Sequence, residues 1–133
     1  MTVRQLKKED YEMLCVWWRK WRWTPPVREV LPNEGTAGFI VYDENTPVVA
    51  GFLYDTNSSI SWVEWVVSNF DYKDKKGRKE AISTLLIYLE ALAKAKGKKI
   101  CYSLLKSKSL IEAYKEQGYS LAETGYTEMI KAI

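Results

Sequence analysis

The chain has 133 residues, of which 47% are hydrophobic and 28% are charged, and its formal net charge is +3. This length and composition predict one globular domain over residues 1–133, with a core that removes roughly two-thirds of the unfolded chain's surface from water. The absence of histidine excludes His-based triads and His metal sites. The two cysteines, Cys15 and Cys101, form no CxxC pair, so we expect no metal site.

The N-terminus has neither the apolar core of a signal peptide nor the composition of a transit peptide. No apolar run approaches the ~20 residues that a membrane span needs. We therefore expect a cytoplasmic protein that does not enter the membrane. The weak positive charge permits an anionic ligand without demanding nucleic acid. The sequence does not determine the oligomeric state, and a homodimer is compatible with it.

The first third of the chain predicts a short strand at residues 2–6 and then an amphipathic helix. The helix has apolar residues spaced by three and four, which gives it one aromatic face. Thr24-Pro25-Pro26 ends it, because proline cannot continue a helix. Residues 27–31 predict a second short helix. Most of the tryptophan-rich face is expected to lie in the core, and its members are Tyr11, Leu14, Trp17, Trp18 and Trp21.

From residue 36 the pattern becomes that of β-strands. Residues 37–42 and 48–54 are rich in β-branched and aromatic side chains, and the polar residues 43–47 join them as a hairpin loop. A third strand, at residues 60–68, follows another polar turn. Three antiparallel strands are therefore expected before the longest patterned segment of the chain.

That segment, residues 73–99, begins as a basic loop and becomes a long amphipathic helix that ends at Gly97. With the strand before it and the apolar run at 100–105 after it, it predicts a parallel crossover unit. Free N–H groups and the positive dipole end at a helix N-terminus suit phosphate. The alternative is a basic loop that is merely solvated. The cations of this loop are Lys73, Lys75, Lys76, Arg78 and Lys79.

The C-terminal part predicts a short helix and a final pair of strands. Ser109 and Glu112 form a capping box, and Gly118 is a helix stop. Residues 119–123 and 127–132 have strand patterns and are separated by a turn at Thr124-Gly125. The fold class is therefore α+β, with a mixed central sheet of about six to seven strands flanked by helices.

Two motifs resemble those of the GCN5-related N-acetyltransferase (GNAT) superfamily. The run Arg78-Lys79-Glu80-Ala81-Ile82-Ser83 is similar to the family's acetyl-CoA motif, Gln/Arg-x-x-Gly-x-Gly/Ala, with alanine and serine at the two small positions. Gly77 offers a competing register. Residues 113–119 with Met129-Ile130-Lys131 resemble the closing Tyr-x-x-x-Gly-Phe and Met-x-Lys pattern. The order of elements agrees over nearly the whole chain, and the compact form is similar to small GNAT-like proteins encoded by phages.

This resemblance implies a GNAT fold with a strand–loop–helix–strand unit for acetyl-CoA. It implies that an amine, from a small molecule or a protein, attacks the thioester directly. Tyr114 would protonate the departing thiolate, and a backbone N–H near Val66–Val67 would polarise the thioester carbonyl. The implied cofactor-binding residues are Val66, Val67, Arg78, Lys79, Glu80, Ala81, Ile82 and Ser83.

Glu64 is the candidate general base, because a carboxylate among aromatic residues should have a raised pKa. An exposed position on an alternating strand is an equal alternative. Trp21 and Trp23 are candidate walls of the acceptor site, where the resemblance places the first helices. Two other functions remain open: a GNAT-fold binding module that has lost its cofactor and holds a partner protein through its Trp-rich surface, and, ranked after it, a nucleic-acid binder that uses the basic loop.

Overall fold

The central sheet of the computed structural model, which describes residues 1–133, has five strands in the order β1-β2-β3-β4-β5. The strands are β1 (Thr2–Gln5), β2 (Gly38–Asp43), β3 (Thr46–Tyr54), β4 (Ile60–Ser68) and β5 (Ile100–Tyr102). Neighbouring strands from β1 to β4 are antiparallel, whereas β5 runs parallel to β4. The sheet is therefore mixed, as predicted, and its one parallel pair is joined through the long helix.

Three helices flank this sheet: α1 (Tyr11–Lys20), α2 (Lys75–Ala95) and α3 (Lys108–Glu116). The predicted helix at residues 27–31 is only a 3₁₀ turn, Arg28–Val30. The N-cap of α3 is Ser107 rather than Ser109, because it is Ser107 Oγ that accepts the Leu110 N–H, at 3.4 Å. No helix is both long enough and apolar enough to cross a lipid bilayer.

The protein has two apolar cores, one on each face of the sheet. α2 and α3 cover the first, where the stripe of α2 buries Ala81, Leu85 and Leu89 completely. α1 covers the second, where Trp17 and Trp18 are 4% and 1% exposed. Burying each large apolar side chain contributes roughly 1.5–3 kcal/mol. Those two tryptophans are therefore structural, as expected for most of the stripe.

The predicted strands at residues 119–123 and 127–132 are wrong. Residues 120–133 have no regular secondary structure and take part in no backbone hydrogen bond. A strand depends on a partner, and β5 offers an edge only three residues long. The sheet therefore has five strands instead of six or seven, and apolar side chains of this C-terminal segment, such as Met129 and Ile130, are exposed.

A bulge in β4 shapes the region of the predicted site. Phe52 of β3 is opposite Glu64, but Ala50 is opposite Val67, so β4 has one residue more than β3 over this stretch. Trp65 lies in the bulge with φ of +59°, in the left-handed region that large side chains avoid. The added twist of a bulge fits the place where β4 separates from β5, whose pairing ends at Trp62–Tyr102.

Candidate active site

Beyond Tyr102 the two parallel strands separate, and we call the gap between residues 63–68 and residues 103–105 the β4–β5 opening. Side chains bridge its start where the backbone ladder stops. Ser103 Oγ donates to the carbonyl oxygen of Val63 at 2.6 Å, and the Leu104 N–H donates to Glu64 Oε1 at 2.8 Å. The opening therefore begins with polar side chains from both strands.

Glu64 is half-buried at this point, and burial raises the pKa of its carboxyl group to about 7. The hydrogen bond from the Leu104 N–H lowers this pKa, the negative charge of Glu128 raises it, and the Ser103 side chain, which is a hydrogen-bond donor, lowers it. The second oxygen, Oε2, accepts no hydrogen bond within the protein. Glu64 is therefore near half-ionised at neutral pH and has a free oxygen, as a general base requires.

Tyr114 reaches the same point from α3. Its side chain is only 2% exposed, and its Oη lies 3.4 Å from Ser103 Oγ. Ser103 Oγ is the donor in this contact and shares its one proton between Val63 O and Tyr114 Oη, which leaves the Tyr114 proton without an acceptor in the protein. Burial raises the pKa of Tyr114, Ser103 lowers it, and the Glu64 charge raises it. The phenol is therefore protonated at neutral pH and can act as an acid.

The structure thus brings both predicted catalytic residues, Glu64 and Tyr114, to Ser103, and we call these three residues the reacting end of the site. Sequence reasoning missed Ser103. A signal existed, because Ser103 is the serine within the apolar run at residues 100–105. Val66 and Val67 follow the bulge on the other side of the opening, with their side chains in the two cores.

The N-terminus of α2 differs from the expectation. The helix begins at Lys75, so the N–H groups of residues 79–83, which the resemblance implies for the cofactor, are hydrogen-bonded inside the helix and are not free. Ala81 and Ile82 also point into the core. Free donors remain only at Lys75 and Lys76, since the Gly77 N–H binds Asp74 Oδ1 at 3.0 Å.

Residues 72–78, which we call the phosphate end, are bonded mainly to one another. Tyr72 Oη donates to Asp43 Oδ2 at 2.7 Å and lies so close to Gly77 that a Cβ there would clash with it. Arg78 Nη2 donates to the Tyr72 carbonyl oxygen, so the guanidinium is turned into the loop. The side chains of Lys73, Lys75 and Lys76 are exposed, whereas Lys79 pairs with Glu116 of α3 at 3.2 Å and Glu80 is exposed.

Trp21 and Trp23 lie beside the phosphate end. Trp21 Nε1 donates to the Ser68 carbonyl oxygen at 2.9 Å, and its ring meets Phe70 edge-on with centroids 4.9 Å apart. The Arg78 guanidinium lies 5.9 Å from the Trp21 ring centroid. Trp23 stacks on Trp21 and is 44% exposed. These two rings therefore border the loop after β4.

No protein-family model matches the sequence, and no curated protein is significantly similar to it. Solved structures do match the fold. TTHA1254 from Thermus thermophilus has a TM-score of 0.68 and 17% identity, covering 99% of this chain and 98% of that chain. A Trypanosoma brucei acetyltransferase, Tb11.01.2886, has a TM-score of 0.64 and 15% identity, covering 97% and 99%. N-acetylglutamate synthase from Neisseria gonorrhoeae, complexed with coenzyme A and L-arginine, has a TM-score of 0.72 and 16% identity, covering 92% of this chain and 28% of that chain.

This chain has the GNAT fold. The fold predicted from the motif resemblance is therefore confirmed, apart from the number of strands. In this GNAT fold the β4–β5 opening connects the reacting end, at Glu64, with the phosphate end, at the start of α2. Ser68 lies four positions after Glu64, which is about 13 Å along a regular strand and less across the bulge at Trp65.

Proposed function

We propose that the protein is an N-acetyltransferase that uses acetyl-CoA to acetylate an amine. The observation that carries this proposal is the meeting of Glu64, Ser103 and Tyr114 at the start of the β4–β5 opening. A base with a pKa near neutrality and a buried acid that stays protonated are the two proton-transfer groups that such a reaction needs.

The phosphate end has groups that fit a diphosphate. The N–H groups of Lys75 and Lys76 are free at a helix N-terminus, and exposed lysines surround them. The Nε of Arg78 is buried without a hydrogen-bond partner, so a donor remains unused beside this turn. One feature opposes anion binding: the Asp74 carboxylate already occupies the Gly77 N–H. We therefore expect binding, but weaker than an unobstructed helix N-terminus would give.

When bound, acetyl-CoA supplies an activated acetyl thioester. Glu64 takes the proton that an ammonium group must lose before its nitrogen can attack, since a Lys-like amine has a pKa of about 10. The nitrogen–carbon bond would form as the carbon–sulfur bond breaks, and Tyr114 would give its proton to the departing thiolate. The nitrogen would lose its second proton to solvent, and solvent would reprotonate Tyr114. Ser103 lies between the two groups and orients the Tyr114 hydroxyl. Backbone near Val66 and Val67 borders the opening and would supply the donor for the carbonyl oxygen.

Calorimetric titration with acetyl-CoA, followed by thiol release with a panel of amines, tests the proposal. We expect micromolar binding that Lys76→Ala weakens about 2–5-fold, because the substitution removes a cation beside the helix N-terminus. Lys96→Ala is the matched control, because Lys96 is exposed at the opposite end of α2 and should leave binding unchanged. Absence of acetyl-CoA binding, or binding without turnover of any amine, would overturn the proposal.

A further inference from the structure

Part of one sheet face has no helix over it. Ser61 and Val63 point into the core beneath α2, so the alternating residues of β4 point to the opposite face. α1 covers that face only farther along β4. Ile100, Tyr102 and Leu104 are 49%, 44% and 55% exposed. We call this uncovered surface the aromatic face, and it comprises Ile60, Trp62, Ile100, Tyr102 and Leu104.

The aromatic face has a stacked pair at its centre and a third ring at its border. The Trp62 and Tyr102 rings lie 4.8 Å apart, with an angle of 39° between their planes. Trp65 borders the face and is 37% exposed. Its Nε1 donates to Tyr54 Oη at 2.9 Å, and Trp18 meets its ring edge-on. Because Trp65 holds a left-handed φ at a cost of order 1–3 kcal/mol, the surrounding contacts fix its position.

Glu64 gives this apolar surface its charge. It lies two residues after Trp62 on the same side of β4, with Oε2 free. The negative charge of Glu64 contributes to the raised pKa of Tyr54, after burial, and Glu128 contributes to that of Glu64. A ligand with a positive charge beside a flat apolar group would complement this combination of carboxylates and ring faces.

We infer that the acceptor is an arylalkylamine, a primary amine separated by a short linker from an aromatic ring. This rests on the proposed function and names its substrate class. The Cα atoms of residues two apart on one side of a strand are about 7 Å apart, so Glu64 and Trp62 start close together. A short linker therefore lets the nitrogen approach Glu64 Oε2 while the ring lies on Trp62 and Tyr102. The nitrogen then lies at the edge of the β4–β5 opening, across which Ser103 contacts Tyr114.

Comparing 2-phenylethylamine with 2-cyclohexylethylamine tests this inference, since the two differ chiefly in the π-system of the ring. We expect kcat/KM to favour the phenyl compound by about 3–10-fold, the range of aromatic and cation–π contacts. Trp62→Leu and Tyr102→Leu should each reduce that preference toward one. Tyr88→Leu is the control, because Tyr88 is an equally exposed aromatic on α2 and should leave the preference unchanged.

A second readout needs no turnover. Titrating 2-phenylethylamine without acetyl-CoA should shift the Trp62 indole N–H resonance, identified by its loss in Trp62→Leu. Equal rates for the two amines, or a preference that survives both leucine substitutions, would overturn the inference while acetylation itself still stands. Failure of acetyl-CoA to bind would instead defeat the proposed function. In that case, a shift of the Trp62 resonance would still show that the aromatic face binds the amine, and no shift would show that it does not.

Discussion

At the reacting end, polar groups from two strands and a helix converge and leave one carboxylate oxygen free. At the phosphate end, Asp74, Tyr72 and Arg78 bind the surrounding loop instead. The first arrangement is ready for a ligand, because nothing within the chain must be displaced from Glu64 Oε2. At the phosphate end, a bound diphosphate must compete with the Asp74 carboxylate for the helix N-terminus. We therefore expect the proton-transfer groups to be positioned for catalysis, whereas the affinity for acetyl-CoA should be weak.

Tyr114→Phe should have the largest effect. Removing the acid should lower kcat by about 10²–10⁴-fold, the usual contribution of a positioned proton donor. Acetyl-CoA affinity by calorimetry should change little, because the Tyr114 hydroxyl contacts only Ser103 in the protein. Tyr119→Phe is the control: its ring packs 4.8 Å from Tyr114, but its buried hydroxyl has no partner. An unchanged rate in Tyr114→Phe would remove this residue from the mechanism.

Glu64→Gln should have the second-largest effect on the rate, and the pH dependence of the rate shows whether Glu64 is the base. The folded pKa of Glu64, about 7, is above the ordinary value, so the carboxylate is scarce at pH 6 and dominant at pH 8. The rate of the natural protein should rise with pH through about 7 and then level off. The glutamine variant should be about 10²-fold slower and lack that rise. The same rise in both proteins would assign the ionisation to another group.

Ser103→Ala should lower kcat less than the substitutions of Tyr114 and Glu64, because Ser103 positions Tyr114 without touching the substrate. We expect kcat to fall about 10-fold while KM is retained. The free energy of unfolding should fall by about 1–3 kcal/mol, because the Val63 carbonyl loses its donor. Ser103→Thr keeps the hydroxyl and should restore most of both. Stability loss with an unchanged kcat would leave Ser103 a purely structural role.

Asp74→Asn should have the smallest effect, and its direction is the informative part. Asparagine caps a helix about as well as aspartate, so stability should hold, whereas Asp74→Ala should cost about 1 kcal/mol. Removing the negative charge from the helix N-terminus should tighten acetyl-CoA binding about 2–5-fold at low salt, as charge–dipole energies indicate. Unchanged affinity in a calorimetric titration would argue against a diphosphate at this turn.

Several features followed from local pattern. The three- and four-residue spacing in α1 and α2, and the strand patterns of β2 to β4, are properties of short windows, so they were readable without the fold. Tyr114 and Glu64 were singled out in the same way, one from a motif resemblance and the other as a carboxylate in an apolar strand. The start of α2 at Lys75 also had a local signal, because Asp74, the residue before it, is of a type favoured at the N-cap.

The sequence by itself determined where α1, α2, α3 and strands β1 to β5 form and which residue types could carry proton transfer. Only the tertiary structure decided which of their groups remain unpaired. The Ser103 hydroxyl bridges Val63 and Tyr114 because β5 ends one residue before it, and residues 120–133 lack strand pairing because that edge is so short. Trp21 and Trp23 border the loop after β4 because α1 crosses the sheet at that end of β4. Such facts depend on strand length, register and packing between distant segments, which no local window contains.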